Sequence, residues 1–201
     1  SMAAAYLTRG TGPVYEWQAP YKNLRSAADV SFSPALKIDE IIFIPERKSA
    51  LDNQAIKQTV INYGAVSASY VSVEEYYSSD DLSYYLPADY NAGRAPVGSS
   101  PVIATNHAIA IIGWDDNYSK ENFVTEPAGN GAFLCKNSWG TEFADNGYFY
   151  ISYYDGFLGI QEFSMAFGKV SSDKTYKRIY QYDPLGATSA FGYNDELYCA
   201  N

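Results

Sequence analysis

The chain has 201 residues, 47% of them hydrophobic and 18% charged, enough to bury one good core and too apolar for a disordered polymer. Its net charge of −9 comes from scattered acidic residues rather than an acidic tail. A diffuse negative field excludes nucleic acid and anionic membrane as partners, since both need a basic footprint. No run approaches the roughly eighteen apolar residues of a membrane span, so membrane insertion is excluded as well. The opening "SMAAAYLTRGTGP" lacks the basic start and apolar centre of a signal peptide.

In chain order, Met2, Ala5, Tyr6 and Arg9 have helical spacing, and Gly10, Gly12 and Pro13 stop that helix. A helix that starts without a cap implies a domain that begins earlier. Residues 10–50 read as loops around one short strand, "IIFIP". "LDNQAIKQTVINYG" is the clearest helix, over residues 53–63. Asp52 is its expected N-cap, Ile56, Val60 and Ile61 its apolar face, and Gly64 its terminator.

The pattern then turns to β. "AVSASYVS" alternates small and apolar residues, "HAIAIIGW" and "GAFLCKNS" read as buried strands, and "GYFYISYYD" alternates aromatic with smaller side chains. "LPADYNAGRAPVGSSPVIATN" is a Gly/Pro/Ala loop of a length that usually carries function or movement. After Lys169, "SSDKTY" reads as a linker to a tyrosine-rich tail. The 20 tyrosines fit either a surface that is apolar and wet at once, as on faces that meet peptide or carbohydrate, or a purely structural sheet.

His107 is the only histidine. A neutral imidazole beside a thiol takes its proton and yields a thiolate–imidazolium pair that is nucleophilic at neutral pH. The imidazole then needs a third group to orient it. Asn137 and Trp139, in "KNSWG", offer an amide oxygen to accept from the second ring N–H and an indole to shield that bond.

"NHAIAIIGW" followed by "FLCKNSWGTEFADNGYFYIS" resembles the papain-like cysteine peptidases, in a style similar to secreted bacterial members. The resemblance implies an α+β, papain-like fold, represented here mainly by its antiparallel β-barrel half. His107 stands at the family's general base, Asn137 at its orienting amide and Trp139 at its shielding indole. "GAVSASY" is similar to a family strand whose end lines the pocket for the substrate's P2 side chain. On that match Ser69, Thr105 and Ala108 are pocket residues, and Asn106 offers a backbone carbonyl to the substrate. The implied organisation is a remnant of the helical half over 1–50, the His- and Asn-bearing half over 51–169, and a linker with an appended β segment over 170–201. The resemblance implies a polypeptide substrate, no cofactor and no metal. It also implies an extracellular or cell-surface location.

Two departures shape the functional expectation. Between His107 and Asn137 lies a long insert, "DNYSKENFVTEPAGN", and the family's nucleophile segment, a Gln followed by "C-G-S-C-W" or a variant, is nowhere in these 201 residues. In this family the histidine and asparagine follow the cysteine by about 130–150 residues. That spacing puts the cysteine roughly two dozen residues or more before Ser1. Cys135 reads as a small buried hydrophobe, and Cys199 would invert the family's order, although convergent triads do permute theirs. The expected activity is that of a cysteine-type endopeptidase whose isolated chain lacks the nucleophile. The alternative is a catalytically dead papain-like module that binds or scaffolds at a cell surface. Without its other half, the chain would expose an apolar cleft face open to self-association. The tail, "YKRIYQYDPLGATSAFGYNDELYCAN", resembles the start of a lectin-like domain and implies contact with a cell wall or glycan.

Overall fold

A computed structural model describes residues 2–8, 13–15, 17–18, 34–90, 105–160 and 163–172, and the backbone of 189–193 and 196–200. The long loop's centre, 91–104, and the "SSDKTY" linker after Ser172 lie outside the described residues. The chain divides into two units, residues 1–41 with 167–201, and residues 42–166.

The elements are α1 (Met2–Thr8), β1 (Lys37–Ile44), α2 (Gln54–Tyr63), β2 (Val66–Tyr70), β3 (Tyr77–Ser78), β4 (Ser83–Tyr84), β5 (His107–Asp115), β6 (Ala132–Lys136), β7 (Tyr148–Ser152), β8 (Ser164–Ser171), β9 (Ser189–Tyr193) and β10 (Glu196–Ala200). Eight strands form one sheet in the order β1-β8-β2-β5-β6-β7-β4-β3, and β9 and β10 form a separate antiparallel hairpin. The expected "IIFIP" strand is thus eight residues long, since alternating "KIDEIIFI" extends it backwards. At the far end β8 continues past Lys169 to Ser171.

Strand period 2 positions the site. In β5 only Ile109 and Ile111 are buried, alternating with half-buried or exposed neighbours, so "HAIAIIGW" has one inner face rather than being buried throughout. Across the ladders Ala68 pairs with Ile109, Val66 and Cys135 each with Ile111, and Cys135 with Phe149. These inner residues join Ile56, Val60, Phe133, Ile151 and Leu158 in the core. Each large aliphatic or aromatic side chain removed from water here contributes about 1.5–3 kcal/mol. A bulge between Ile111 and Gly113 shifts the β5–β6 register, which adds local twist.

Helix α2 closes the core through Ile56, Thr59 and Val60 and ends at Gly64, at φ 87°, with Gly64 N–H donating to Val60 O at 2.8 Å. Two expectations for it are corrected. Ile61 is 65% exposed, because it stands 100° round from Val60 and off the stripe that Ile56 and Val60 define. Asp52 is not the cap: its carboxylate accepts from Lys48 N at 3.0 Å in the preceding turn, and Asn53 occupies the cap position without a capping side-chain bond. No helix among the described residues is long and apolar enough to cross a membrane.

Candidate active site

His107 opens β5, and Asn137 follows directly on the end of the neighbouring β6. Two hydrogen bonds to the turn that joins β6 to β7 fix this register. Asn137 N donates to Gly147 O at 2.9 Å, and Gly147 N to Phe143 O at 2.7 Å. Gly147 has φ 93°, and a Cβ there would come 3.1 Å from Gly140 O, while Gly140 itself has φ 87°. The two glycines of "NSWG…GY" are therefore backbone requirements of the turn that delivers the amide.

The His107 ring nitrogen Nε2 lies 2.8 Å from Asn137 Oδ1. That oxygen also accepts from Ser138 N at 2.8 Å. A flipped amide would point its NH₂ at the Ser138 N–H, so the oxygen must face both groups and Nε2 must carry the proton. Nδ1, with no hydrogen-bond partner among the described residues, is left with its lone pair for another donor. Asn137 is itself buried, and its Nδ2 finds no acceptor among the described residues.

Trp139 lies 4.8 Å from the His107 ring, centroid to centroid, tilted by 38°, and Phe143 meets Trp139 edge-on at 4.8 Å. The indole is half exposed, so it forms the outer wall of the His107–Asn137 pair. Tyr70, the register partner of His107 in β2, forms the inner wall, its ring edge-on to the imidazole at 5.6 Å. Beside Trp139 is a cavity of about 470 Å³ whose walls include Val73, Tyr77, Tyr84, Phe143 and Phe149, with Glu74 as its charged residue.

The remaining expected residues fall around this pair. Ser69 and Ala108 face each other across the β2–β5 ladder. Ala108 lines a shallow groove of about 310 Å³ with Ser67, Ala110, Lys136, Asn137 and Ser138. Neither Ser69 nor Thr105 lines it. Thr105 stands two residues before His107. Asn106 directs its side chain to the backbone of Ser72, with Oδ1 accepting from Ser72 N at 2.6 Å and Nδ2 donating to Ser72 O at 3.0 Å.

Cys135 is fully buried, and burial pushes its thiol well above the ordinary range. It points into the core between Ile111 and Phe149, on the register of its two neighbouring strands. Cys199 lies in β10 opposite Ala190, and its side chain is outside the described residues. Among those residues no cluster of three or more His, Cys, Asp or Glu is arranged to hold a metal.

Sequence reasoning missed Tyr70, and it missed the buried scaffold behind the site. Asp155 accepts from Leu86 N, Phe157 N and Leu158 N, while buried Arg47 donates to Leu158 O and Tyr153 O. The available signal for Tyr70 was register: pairing "SASY" with "HAIA" antiparallel places it against His107.

The model of the papain family of cysteine proteases matches residues 1–167. The chain belongs to that family. It resembles the clostridial cysteine protease Cwp84 after propeptide cleavage, with 33% identity and a TM-score of 0.70 over 96% of this chain and 45% of that one. It also resembles the cysteine protease and lectin-like domains of Cwp84, a surface layer associated protein of Clostridium difficile. There the identity is 34% and the TM-score 0.64, over 84% of this chain and 36% of that one. A cathepsin B-like cysteine proteinase 3 of Caenorhabditis elegans is 33% identical over 96 residues, 48% of this chain and 20% of its own. The chain therefore spans less than half the length of these relatives. Its α+β, sheet-rich architecture is the papain-like fold.

Proposed function

We propose that this protein is the His- and Asn-bearing part of a cysteine-type endopeptidase acting on polypeptides. The observation that carries the reading is the 2.8 Å contact from His107 Nε2 to Asn137 Oδ1, which commits one ring nitrogen to orientation and leaves Nδ1 for a thiol. In the complete enzyme the thiol proton moves to Nδ1 and the thiolate sulfur attacks the peptide carbonyl carbon. Imidazolium His107 protonates the leaving amine as the C–N bond breaks. Water, deprotonated by the same nitrogen, then cleaves the thioester. Asn137 holds the ring and Trp139 limits the access of water to their bond. Ala108 lines the groove on the acyl side, Ser69, its ladder partner, and Thr105 contribute from outside that groove's lining, and Asn106 presents its carbonyl to the substrate.

The nucleophile belongs to a segment that precedes residue 1 in the complete protein, with the glutamine of the oxyanion hole. The burial of Cys135 supports this, because a thiol with no route to solvent or to the imidazole cannot attack a peptide. These 201 residues alone are inactive. The similarity to a surface layer associated protease supports a place outside the cell or on its surface, with the tail engaging cell wall or glycan. The sheet face left open without the helical half promotes self-association. The test is thiol-dependent peptide hydrolysis by this chain and by a form extended upstream by about eighty residues, a length chosen to clear the family spacing.

A further inference from the structure

Tyr84 is buried in β4, and its hydroxyl reaches across to the strip of backbone that follows β2. It donates to Val71 O at 2.6 Å and accepts from Val73 N at 3.0 Å. Asn106 grips Ser72 N and Ser72 O in the same strip. Two side chains thus satisfy four consecutive backbone groups just where β2 has left its ladder. The Asn106 bonds lie at the surface, but the Tyr84 bond to Val71 O is buried and that to Val73 N is partly so, and leaving those backbone groups unpaired would be costly, which ties the strip to Tyr84.

The Tyr84 ring is also packed edge-on against Tyr70 at 5.2 Å, and Tyr70 in turn is edge-on to His107 at 5.6 Å. Tyr70 immediately precedes the strip that Tyr84 holds and is the register partner of His107. Burial pushes both phenols upward, that of Tyr70 to about 12, so both hydroxyls remain protonated across the working pH range. The mechanism proposed above uses neither tyrosine.

We propose that Tyr84 is a positioning residue for His107: its hydroxyl fixes residues 71–73, which holds the Tyr70 ring as the inner wall of the imidazole. The inference rests on His107 being the catalytic base, but its first readout needs no catalysis. With one histidine in the chain, the ring nitrogens and the Nε2–H proton can be assigned without ambiguity by ¹⁵N-edited NMR. Tyr84→Phe keeps the ring and removes both strut bonds. We expect the His107 Nε2–H to exchange with solvent roughly tenfold faster, the factor that corresponds to about one net hydrogen bond. Tyr153→Phe is the control, since it loses a comparable bond to Asp116 at 2.8 Å outside this chain of rings. It should leave His107 exchange unchanged even where it lowers the Tm as much.

Unchanged exchange in Tyr84→Phe, or equal acceleration in Tyr153→Phe, would overturn the proposal. If Tyr84→Phe does not fold, native-state exchange on the unsubstituted chain decides. The Val73 amide and the His107 Nε2–H should then open with the same dependence on denaturant, and separate openings would contradict the strut. In the upstream-extended protein, Tyr84→Phe should lower kcat roughly 10- to 100-fold, the scale of a misplaced catalytic group, with KM within about twofold. An extended protein with no hydrolytic activity at all would defeat the peptidase reading and leave the exchange result standing by itself.

Discussion

Asn137 Oδ1 accepts from both His107 Nε2 and its neighbour Ser138 N, each at 2.8 Å, so the amide cannot turn without breaking two bonds at once. This double anchoring sets the tautomer of the imidazole. Replacement by alanine removes the acceptor and leaves the ring free to rotate and to exchange tautomers. For Asn137→Ala we expect the ¹⁵N shifts of His107 to move from a fixed Nε2–H form toward an averaged pair. In the extended enzyme kcat should fall on the order of 10²-fold, as for loss of other orienting groups.

In the proposed mechanism Trp139 limits the access of water to the His107–Asn137 bond, and its ring stands 4.8 Å from that of His107. Trp139→Ala should accelerate exchange of the His107 Nε2–H while leaving its tautomer intact, because the Asn137 bond survives. Its cost in kcat should be smaller than that of Asn137→Ala, and comparison of the two variants in one assay checks the order. Thermal stability should fall by on the order of 1–3 kcal/mol, since about half of the indole is covered and its packing against Phe143 is lost.

The His107, Asn137 and Trp139 constellation was legible because its residues sit at fixed places on strands of period 2 and in a turn whose glycines are visible in the sequence. Strands β1, β2, β5, β6 and β7 were legible for the same reason, while β3, β4 and β8 were not read as strands. What stayed hidden rests on contacts between residues remote in the chain. The partners of Tyr84 are backbone atoms, and the amides that satisfy Asp155 include one, Leu86, 69 positions away. Local rules also compete: Asp52 satisfies every criterion for an N-cap, but the turn before it offers Lys48 N as an alternative donor. Ile61 is apolar in a helical window, yet only the tertiary packing of α2 decides which residues of that window meet the sheet.

Asp155 gives the fold a pH dependence with a defined sign. Burial raises its carboxyl to about 6, against the opposing pull of three backbone N–H groups and the Arg47 charge. A carboxyl raised in the folded state binds its proton more tightly there than in the unfolded chain. Its contribution to stability is therefore fully present below about pH 4 and is lost as pH rises through about 6. Denaturation midpoints measured from pH 4 to 7 should show a decline on the order of 2–3 kcal/mol from this group. In Asp155→Asn that component of the slope should vanish, while overall stability falls, because the single amide oxygen can still accept from Phe157 N and Leu158 N but the NH₂ then faces Leu86 N–H.

Cys135 should be inert in the folded protein. Mass spectrometry after iodoacetamide treatment should find it unmodified under native conditions and fully modified in denaturant, since burial both blocks access and keeps the thiol protonated. Cys135→Ala should cost roughly 1 kcal/mol or more through the cavity it leaves, and should leave the activity of the extended enzyme intact.

We propose that His107 serves a cysteine supplied from upstream of these 201 residues. The most direct measurement is hydrolysis of a fluorogenic peptide by the upstream-extended protein, by the same protein carrying His107→Ala, and by this chain alone, each with and without a thiol-alkylating reagent. Alkylation-sensitive turnover is expected in the extended protein only, abolished by His107→Ala. Alkylation-sensitive turnover by the 201-residue chain itself, or full turnover in His107→Ala, would contradict it.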